Sequence, residues 1–369
     1  MPNELNVGSE NTNVGPHKYQ QLAARLRQQI LRKELQSGDR LPSYMELRKE
    51  YGVTLSTVER VYGLLENEGL VERRHGSGTF VAEPQNRLTG TLGFIGGALA
   101  NQQHNPFDTL IMEGVQQAVE SQRQHLLYMG TDYSLNLQGC EKVDGVLICN
   151  IEDSATVSNR LPILMPRVSL LTVADGMSSV VADDYRGAKA AVKYLLELGH
   201  RRIACLMEKQ PSIARSRFAG YLDAMEESDL DADSRWANRA TVNAKSMGTA
   251  QPYLAWARIH MTKWLQQDWS ELGCTAILVQ NEVAAIGVMQ ILQENDIKVP
   301  QDISVMGFDG TETCNLITPS LMAMALPLEQ IGRKAVEVLN RQIAHEHSAE
   351  EVIMLPMSLR QGGSVAPPG

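Results

Sequence analysis

From Tyr19 onward, apolar positions fall at Leu22, Leu26 and Ile30, a four-residue step that predicts a helix with one buried face. Gly38 and Pro42 punctuate its end. Ser43 is placed to cap a second short helix, and Glu46, three residues on, completes a capping box. That helix carries Met45, Leu47 and Tyr51 and stops at Gly52. Thr54 or Ser56 then starts a third helix, containing Val58, Val61, Leu64 and Leu65, which Gly69 ends. Two short helices joined by a brief turn containing glycine make a helix-turn-helix. Residues 70–73 and 79–82 read as two strands around the turn His75-Gly76-Ser77-Gly78. Glycine leaves no Cβ at such a tip, so the backbone can approach a partner closely, with Arg73, Arg74 and His75 beside it.

Residues 83–90 are polar and read as a linker, after which the pattern changes. The short apolar runs TLGFIGG, HLLYMG, DGVLICN, ILMPRVSL, SVVAD, RRIACLM, AILVQ and ISVMGFD predict buried strands. Helical stretches at 107–121, 186–198, 215–227, 254–267 and 282–294 separate several of them. This alternation predicts an α/β core of parallel sheets with helices on both faces, preceded by a small α+β helix-turn-helix domain. MAMAL, at 322–326, reads as a core or interface strand. LGFIGGALA lacks the full G-x-G-x-x-G, so no nucleotide cofactor is expected from it.

Composition adds limits. The 369 residues are 43% hydrophobic and 21% charged, as in a soluble globular protein of two or three domains. No run of 18 or more apolar residues occurs, and residues 1–16 are polar with no apolar h-region. Residues 1–16 therefore read as a disordered lead-in, with no membrane partner. Cys140, Cys149, Cys205, Cys274 and Cys314 lie far apart without a C-x-x-C, which fits small buried side chains in a reducing cytoplasm. No H-x-x-x-H pair with carboxylate support is present, and His345 and His347 share no helical face, so no metal is expected. The net charge of −9 is divided: residues 17–82 hold eleven Lys/Arg against eight Asp/Glu, net +3, leaving −12 on the remainder. Only the N-terminal segment is attractive to phosphate.

YQQLAARLRQQI, SGDRLPS, YGVTLSTVERVY and LENEGLVERRHGSGTFV together resemble the GntR family's DNA-binding domain, over about 65 residues. The resemblance implies a winged helix at 17–82 whose third helix enters the major groove and whose wing tip enters the minor groove. The DNA-contacting residues it points to are Ser43, Tyr44, Thr54, Leu55, Ser56, Thr57, Arg60, Arg73, His75 and Gly76. The family commonly places arginine where this chain has Met45, Leu55 and Glu59. Arginine paired with guanine is the commonest base contact, so its loss at these points changes the sequence that is read.

VVADDYRGAKAAVKYLLELGHRRIACL, SRFAGYLDAMEES, AILVQNEVAAIGVMQILQENDIKVPQDISVMGFDGTE, PSLMAMALPLEQIGRKAVEVL and LRQGGSVAPP resemble the LacI/GalR regulator core, the periplasmic-binding-protein type I fold. The combination is similar to the arabinose-repressor architecture. It implies two lobes within 91–369: one of about 91–183 and 313–343, the other of about 184–312 and 344–365. The small molecule would sit between them. By position in those phrases, Asp309, Arg217 and Asn281 face the ligand from one lobe, and Asn105 and Phe107 from the other. A carboxylate suits vicinal hydroxyls, a guanidinium fork suits hydroxyls or a carboxylate, and an aromatic ring can stack on a sugar or base. The family usually has Asp after that Asn, where Glu282 stands here.

The implied function is a ligand-responsive DNA-binding transcriptional regulator, by family habit a repressor. Its partners would be a double-stranded operator with an inverted repeat, a carbohydrate effector and a second copy of the chain. Alternatives are a regulator whose unliganded core serves only dimerisation, or a solute-binding protein. The latter would carry a signal peptide and no DNA module. An enzyme would need a nucleophile with its base, a metal cluster or a phosphate loop, and no such constellation appears.

Overall fold

The computed structural model describes residues 18–31, 34–82, 88–96, 106–129, 142–149, 161–162, 165–209, 212–230, 234–242, 251–267, 269–344 and 350–369. Asn105, Cys140, His345, His347, residues 1–16 and most of the expected linker lie outside them. The chain divides into two compact units, residues 1–89 with 156–165, and residues 90–155 with 166–369.

In the first unit, α1 (Lys18–Leu31), α2 (Tyr44–Tyr51) and α3 (Leu55–Asn67) are followed by a hairpin of β1 (Val71–Arg74) and β2 (Gly78–Val81). Leu22, Leu26, Ile30, Leu47, Val58, Val61, Leu65 and Leu70 form its core; of the positions that the periodicity selected, Leu64 and Tyr51 pack at its edge and Met45 faces solvent. The capping box forms: the Ser43 hydroxyl accepts from the Glu46 backbone N–H, and the Glu46 carboxylate accepts from the Ser43 N–H. Thr54 caps α3. Gly78 holds φ +121, a conformation that a side-chain-bearing residue rarely adopts, where the wing turns back into β2.

The second unit is built on two six-stranded sheets. The first is fully parallel, in the order β13-β7-β6-β5-β3-β4. Its strands are β3 (Thr91–Gly96), β4 (His125–Tyr128), β5 (Gly145–Cys149), β6 (Arg167–Leu170), β7 (Ser178–Ala182) and β13 (Val352–Leu355). The second runs β14-β12-β11-β10-β8-β9, with only β14 antiparallel. It holds β8 (Ile203–Met207), β9 (Ala237–Arg239), β10 (Ala276–Val279), β11 (Ser304–Asp309), β12 (Met322–Ala325) and β14 (Ser358–Arg360). Around the sheets lie α4 (Pro106–Ser121), α5 (Asp184–Glu197), α6 (Ser212–Glu226), α7 (Pro252–Gln267), α8 (Glu282–Glu294) and α9 (Leu328–Ile343). Helices α4 and α9 cross at bare backbone: a Cβ on Gly114 would stand 2.1 Å from the Glu329 carbonyl oxygen.

Two expectations need correction. Strand β12, expected in the first lobe, pairs with β11 in the second sheet, Met306 opposite Met322. Strand β13, expected in the second lobe, pairs with β7 in the first, Val352 opposite Ser179. The chain therefore re-enters the first lobe between β12 and α9, and leaves it between β13 and β14. Both strands are short apolar runs that either sheet could accept, so strand pairing, not pattern, assigned them. Helix α9 was not among the expected helical stretches. It packs on α4 and brings Ile331, Ala335, Val336 and Leu339 into the first lobe's core. Cys149, Cys205, Cys274 and Cys314 are free and buried.

Candidate functional site

Helix α3 buries Val58, Val61, Tyr62 and Leu65, which turns Leu55, Ser56, Glu59 and Arg60 outward. At its first turn the Thr54 Oγ1 accepts from the Thr57 N–H at 3.3 Å and lies 3.0 Å from Ser56 Oγ and 2.9 Å from Thr57 Oγ1. Three hydroxyls thus share the N-terminal end of a helix, where an anion is favoured. Leu55 is 50% exposed and Met45 69%, both large apolar groups facing solvent. Tyr44 is half-buried against the core, and the Ser43 hydroxyl is engaged in its cap.

Several cations of the domain are held by contacts within it. The Arg60 guanidinium lies 4.4 Å over the Tyr19 ring. Arg73 reaches back to α3, 3.0 Å from the Glu66 carboxylate, and donates to the Glu59 carbonyl at 3.3 Å. Arg74 pairs with Glu72 at 2.6 Å and covers Phe80. His75 and Gly76 are exposed at the tip as expected. Arg40 was missed: its Nε lies 3.1 Å from where a Cβ on Gly78 would stand, so a cation lies against the wing. A bridge between Arg40 and Phe80 carries it there, a pairing across forty residues with no local signal.

In the second unit, one cavity of about 670 Å³ brings together Phe107, Arg217, Asn281 and Asp309, four of the five expected effector residues. Asp184 and Tyr253 line it as well. Arg217, 3% exposed, is the hub. Its Nε donates to Asp184 Oδ1 at 2.7 Å, its Nη1 donates to the Gln280 carbonyl, and Nη1 stands 4.0 Å from Asp309 Oδ1. The Phe308 ring lies 4.2 Å beneath the guanidinium. Asp309 ends β11 at φ +78, which aims it off the strand into the cavity. Burial pushes its carboxyl up to about 7; Arg217 opposes that, while the nearby Glu282 and Asp184 add to it. Burial also raises Asp184, against the pull of Arg217.

Asn281 Oδ1 caps α8, accepting from the Ala284 N–H at 2.8 Å, so the cap engages its oxygen and not its NH2 group. Glu282 is buried beneath the turn after Asp309. It accepts from the Thr311 N–H at 2.8 Å and hydroxyl at 2.6 Å, so it fixes that turn. Asp184 was missed although the run SVVAD ends beside it; nothing local says that a carboxylate will meet a guanidinium 33 residues on. Glu208 was missed too. It accepts from Gln280 Nε2 at 2.9 Å, Tyr253 OH at 3.2 Å and the Val242 N–H at 2.8 Å, tying Val242 and Tyr253 to the cavity wall. A second cavity, of about 540 Å³, lies along the outer side of α8 near Met289 and Ile317.

Residues 18–81 match the bacterial regulatory proteins of the gntR family, and residues 192–365 a periplasmic binding protein-like domain. The HTH-type transcriptional regulator DegA of Bacillus subtilis is 25% identical over 347 residues, covering 87% of this chain and 97% of DegA. The ribose operon repressor of Escherichia coli is 27% identical over 282 residues, covering 73% of this chain and 81% of the repressor. Among solved structures, the transcriptional regulator CelR–cellobiose complex superposes with a TM-score of 0.65 at 22% identity, covering 85% of this chain and 92% of that one. A LacI family regulator from Enterococcus faecium with bound ribose gives 0.61 at 22% identity, covering 75% and 99%. A winged helix joined to a two-lobed binding-protein core defines a DNA-binding transcriptional regulator. This chain has both parts: residues 18–81 match the gntR-family DNA-binding domain, and its core is similar to those of transcriptional regulators such as DegA and the ribose operon repressor. Among the described residues no helix is long and apolar enough to cross a membrane.

Proposed function

We propose that this regulator is a cytoplasmic repressor, not an enzyme, whose operator affinity is changed by a sugar or sugar derivative bound in the cavity of its core. The observation that carries this is the buried Arg217 between two carboxylates, with Phe107 contributed from the other lobe. The Asp309 carboxylate accepts from vicinal hydroxyls, Arg217 and the Asn281 amide donate to ring or hydroxyl oxygens, and Phe107 covers an apolar sugar face. Relatives whose names and titles carry ribose and cellobiose support the ligand class.

A ligand that prefers one arrangement of the lobes shifts the population toward it, and through a homodimer changes the spacing of two winged helices on an inverted repeat. DNA contact is assigned to Ser43, Tyr44, Thr54, Leu55, Ser56, Thr57 and Arg60, and to Arg73, His75 and Gly76 of the wing. A thermal-shift screen of pentoses, hexoses and disaccharides tests the reading. A ligand at a hundred times its dissociation constant stabilises the folded state by about 2.7 kcal/mol, and the same ligand should alter operator affinity in a gel shift. A flat screen with intact DNA binding would leave the core as a dimerisation scaffold and overturn the effector role.

A further inference from the structure

We infer that α3 reads thymine methyl groups and exocyclic amino groups in the major groove, through Leu55 and Glu59, and not the acceptor edge of guanine. The inference rests on the DNA-binding role proposed above and specifies what that role recognises. Guanine presents two acceptors, O6 and N7, and is usually read by a two-pronged donor. Helix α3 contains one arginine, Arg60, and its guanidinium is stacked on Tyr19. Besides that stacked arginine, α3 turns outward an apolar group at Leu55, a hydroxyl at Ser56 and a carboxylate at Glu59.

Each of these has a distinct complement. The thymine C5-methyl is the apolar group of the major groove, and Leu55, half exposed, gains by covering it. A carboxylate only accepts, so Glu59 fits the amino groups of cytosine or adenine and is repelled by O6, N7 and phosphate. Leu55 and Glu59 are four residues apart in one helix, about 6 Å of rise, under two base-pair steps of about 3.4 Å. The half-site should therefore hold a T·A pair whose methyl group Leu55 covers, with the amino group of a base pair within two steps of it facing Glu59. Met45, also apolar and exposed at the start of α2, extends the same preference away from guanine.

The test selects binding sites for the full-length chain from a random duplex library, then replaces each dT of the enriched half-site by dU, which deletes only the methyl group. One such replacement should weaken wild-type binding about four-fold, the factor for one buried methyl-sized group. The L55A variant, whose side chain is half exposed and so leaves the fold and melting temperature unchanged, should bind the dT and dU duplexes equally. Uracil that is silent at every position, or an undiminished uracil effect in L55A, would each overturn the inference. If no sequence is enriched at all, the DNA-binding proposal falls and this inference falls with it.

Discussion

The proposed ligand contact at Asp309 predicts that effector binding depends on pH. Its carboxyl is pushed up to about 7 because it is buried near Glu282 and Asp184, with Arg217 only partly offsetting that. A polyhydroxylated ligand donates to this group, so the ionised form binds it. With a pKa near 7, about a tenth of the apo protein is ionised at pH 6 and about nine-tenths at pH 8, so affinity should rise about tenfold between them. The same shift affects stability with opposite sign. A carboxyl raised above its unfolded value contributes stability at low pH that is lost as pH rises through 7. A displacement of about three pH units corresponds to a cost on the order of 4 kcal/mol at pH 8. Asp309→Asn removes the charge at constant shape. The variant should lose the ligand response and its pH dependence, while its melting temperature at pH 8 rises above that of the ligand-free wild type. Calorimetric titration with the effector at pH 6, 7 and 8, with melting curves of both proteins, is the assay. Wild-type affinity that is flat across that range, or an Asn variant that still responds tenfold to pH, would refute the reasoning.

Other changes follow from the same geometry. Arg217→Met leaves Asp184 buried without its guanidinium and should destabilise the core by about 3–5 kcal/mol, read from urea unfolding; Arg217→Lys should keep the charge but still lose effector binding, because an ammonium lacks the planar fork that spans Asp184, the Gln280 carbonyl and Asp309. Arg40→Gln should weaken operator binding uniformly across sequences and reduce the slope of log affinity against log salt by about one; an unchanged slope would place Arg40 off the phosphates. His200 is buried with Nδ1 2.8 Å from the Thr275 hydroxyl and Nε2 2.9 Å from the Ala366 carbonyl, and burial lowers its pKa. Its stabilising contribution is present above the unfolded value of about 6.5 and is lost as pH falls below it. The loss of stability between pH 6.5 and 5 should therefore be smaller in His200→Asn than in wild type, and equal slopes would show that another group titrates there.

The winged helix was legible because its signals are local. Ser43 and Glu46 cap a helix within one turn, Thr54 caps the next, and glycines end α2 and shape the wing, all within a few residues of what they control. The apolar runs of the core located strands for the same reason, and position within known phrases brought Arg217, Asn281 and Asp309 to one cavity. Pairing was not legible. Strands β12 and β13 went to opposite sheets from those expected, Arg60 turned to Tyr19 and Arg73 to Glu66, and Asp184 emerged as the partner of Arg217. Each of those outcomes joins groups far apart in the chain, and a periodic pattern describes only a residue's own element. The sequence by itself determined which elements form and where they start and stop, because backbone hydrogen bonds and caps are satisfied locally. Only the tertiary structure decided which carboxylate meets which guanidinium and how deeply each is buried. Those two facts set the charge of the cleft, because the cost of burying an ion depends on the partners that folding brings to it.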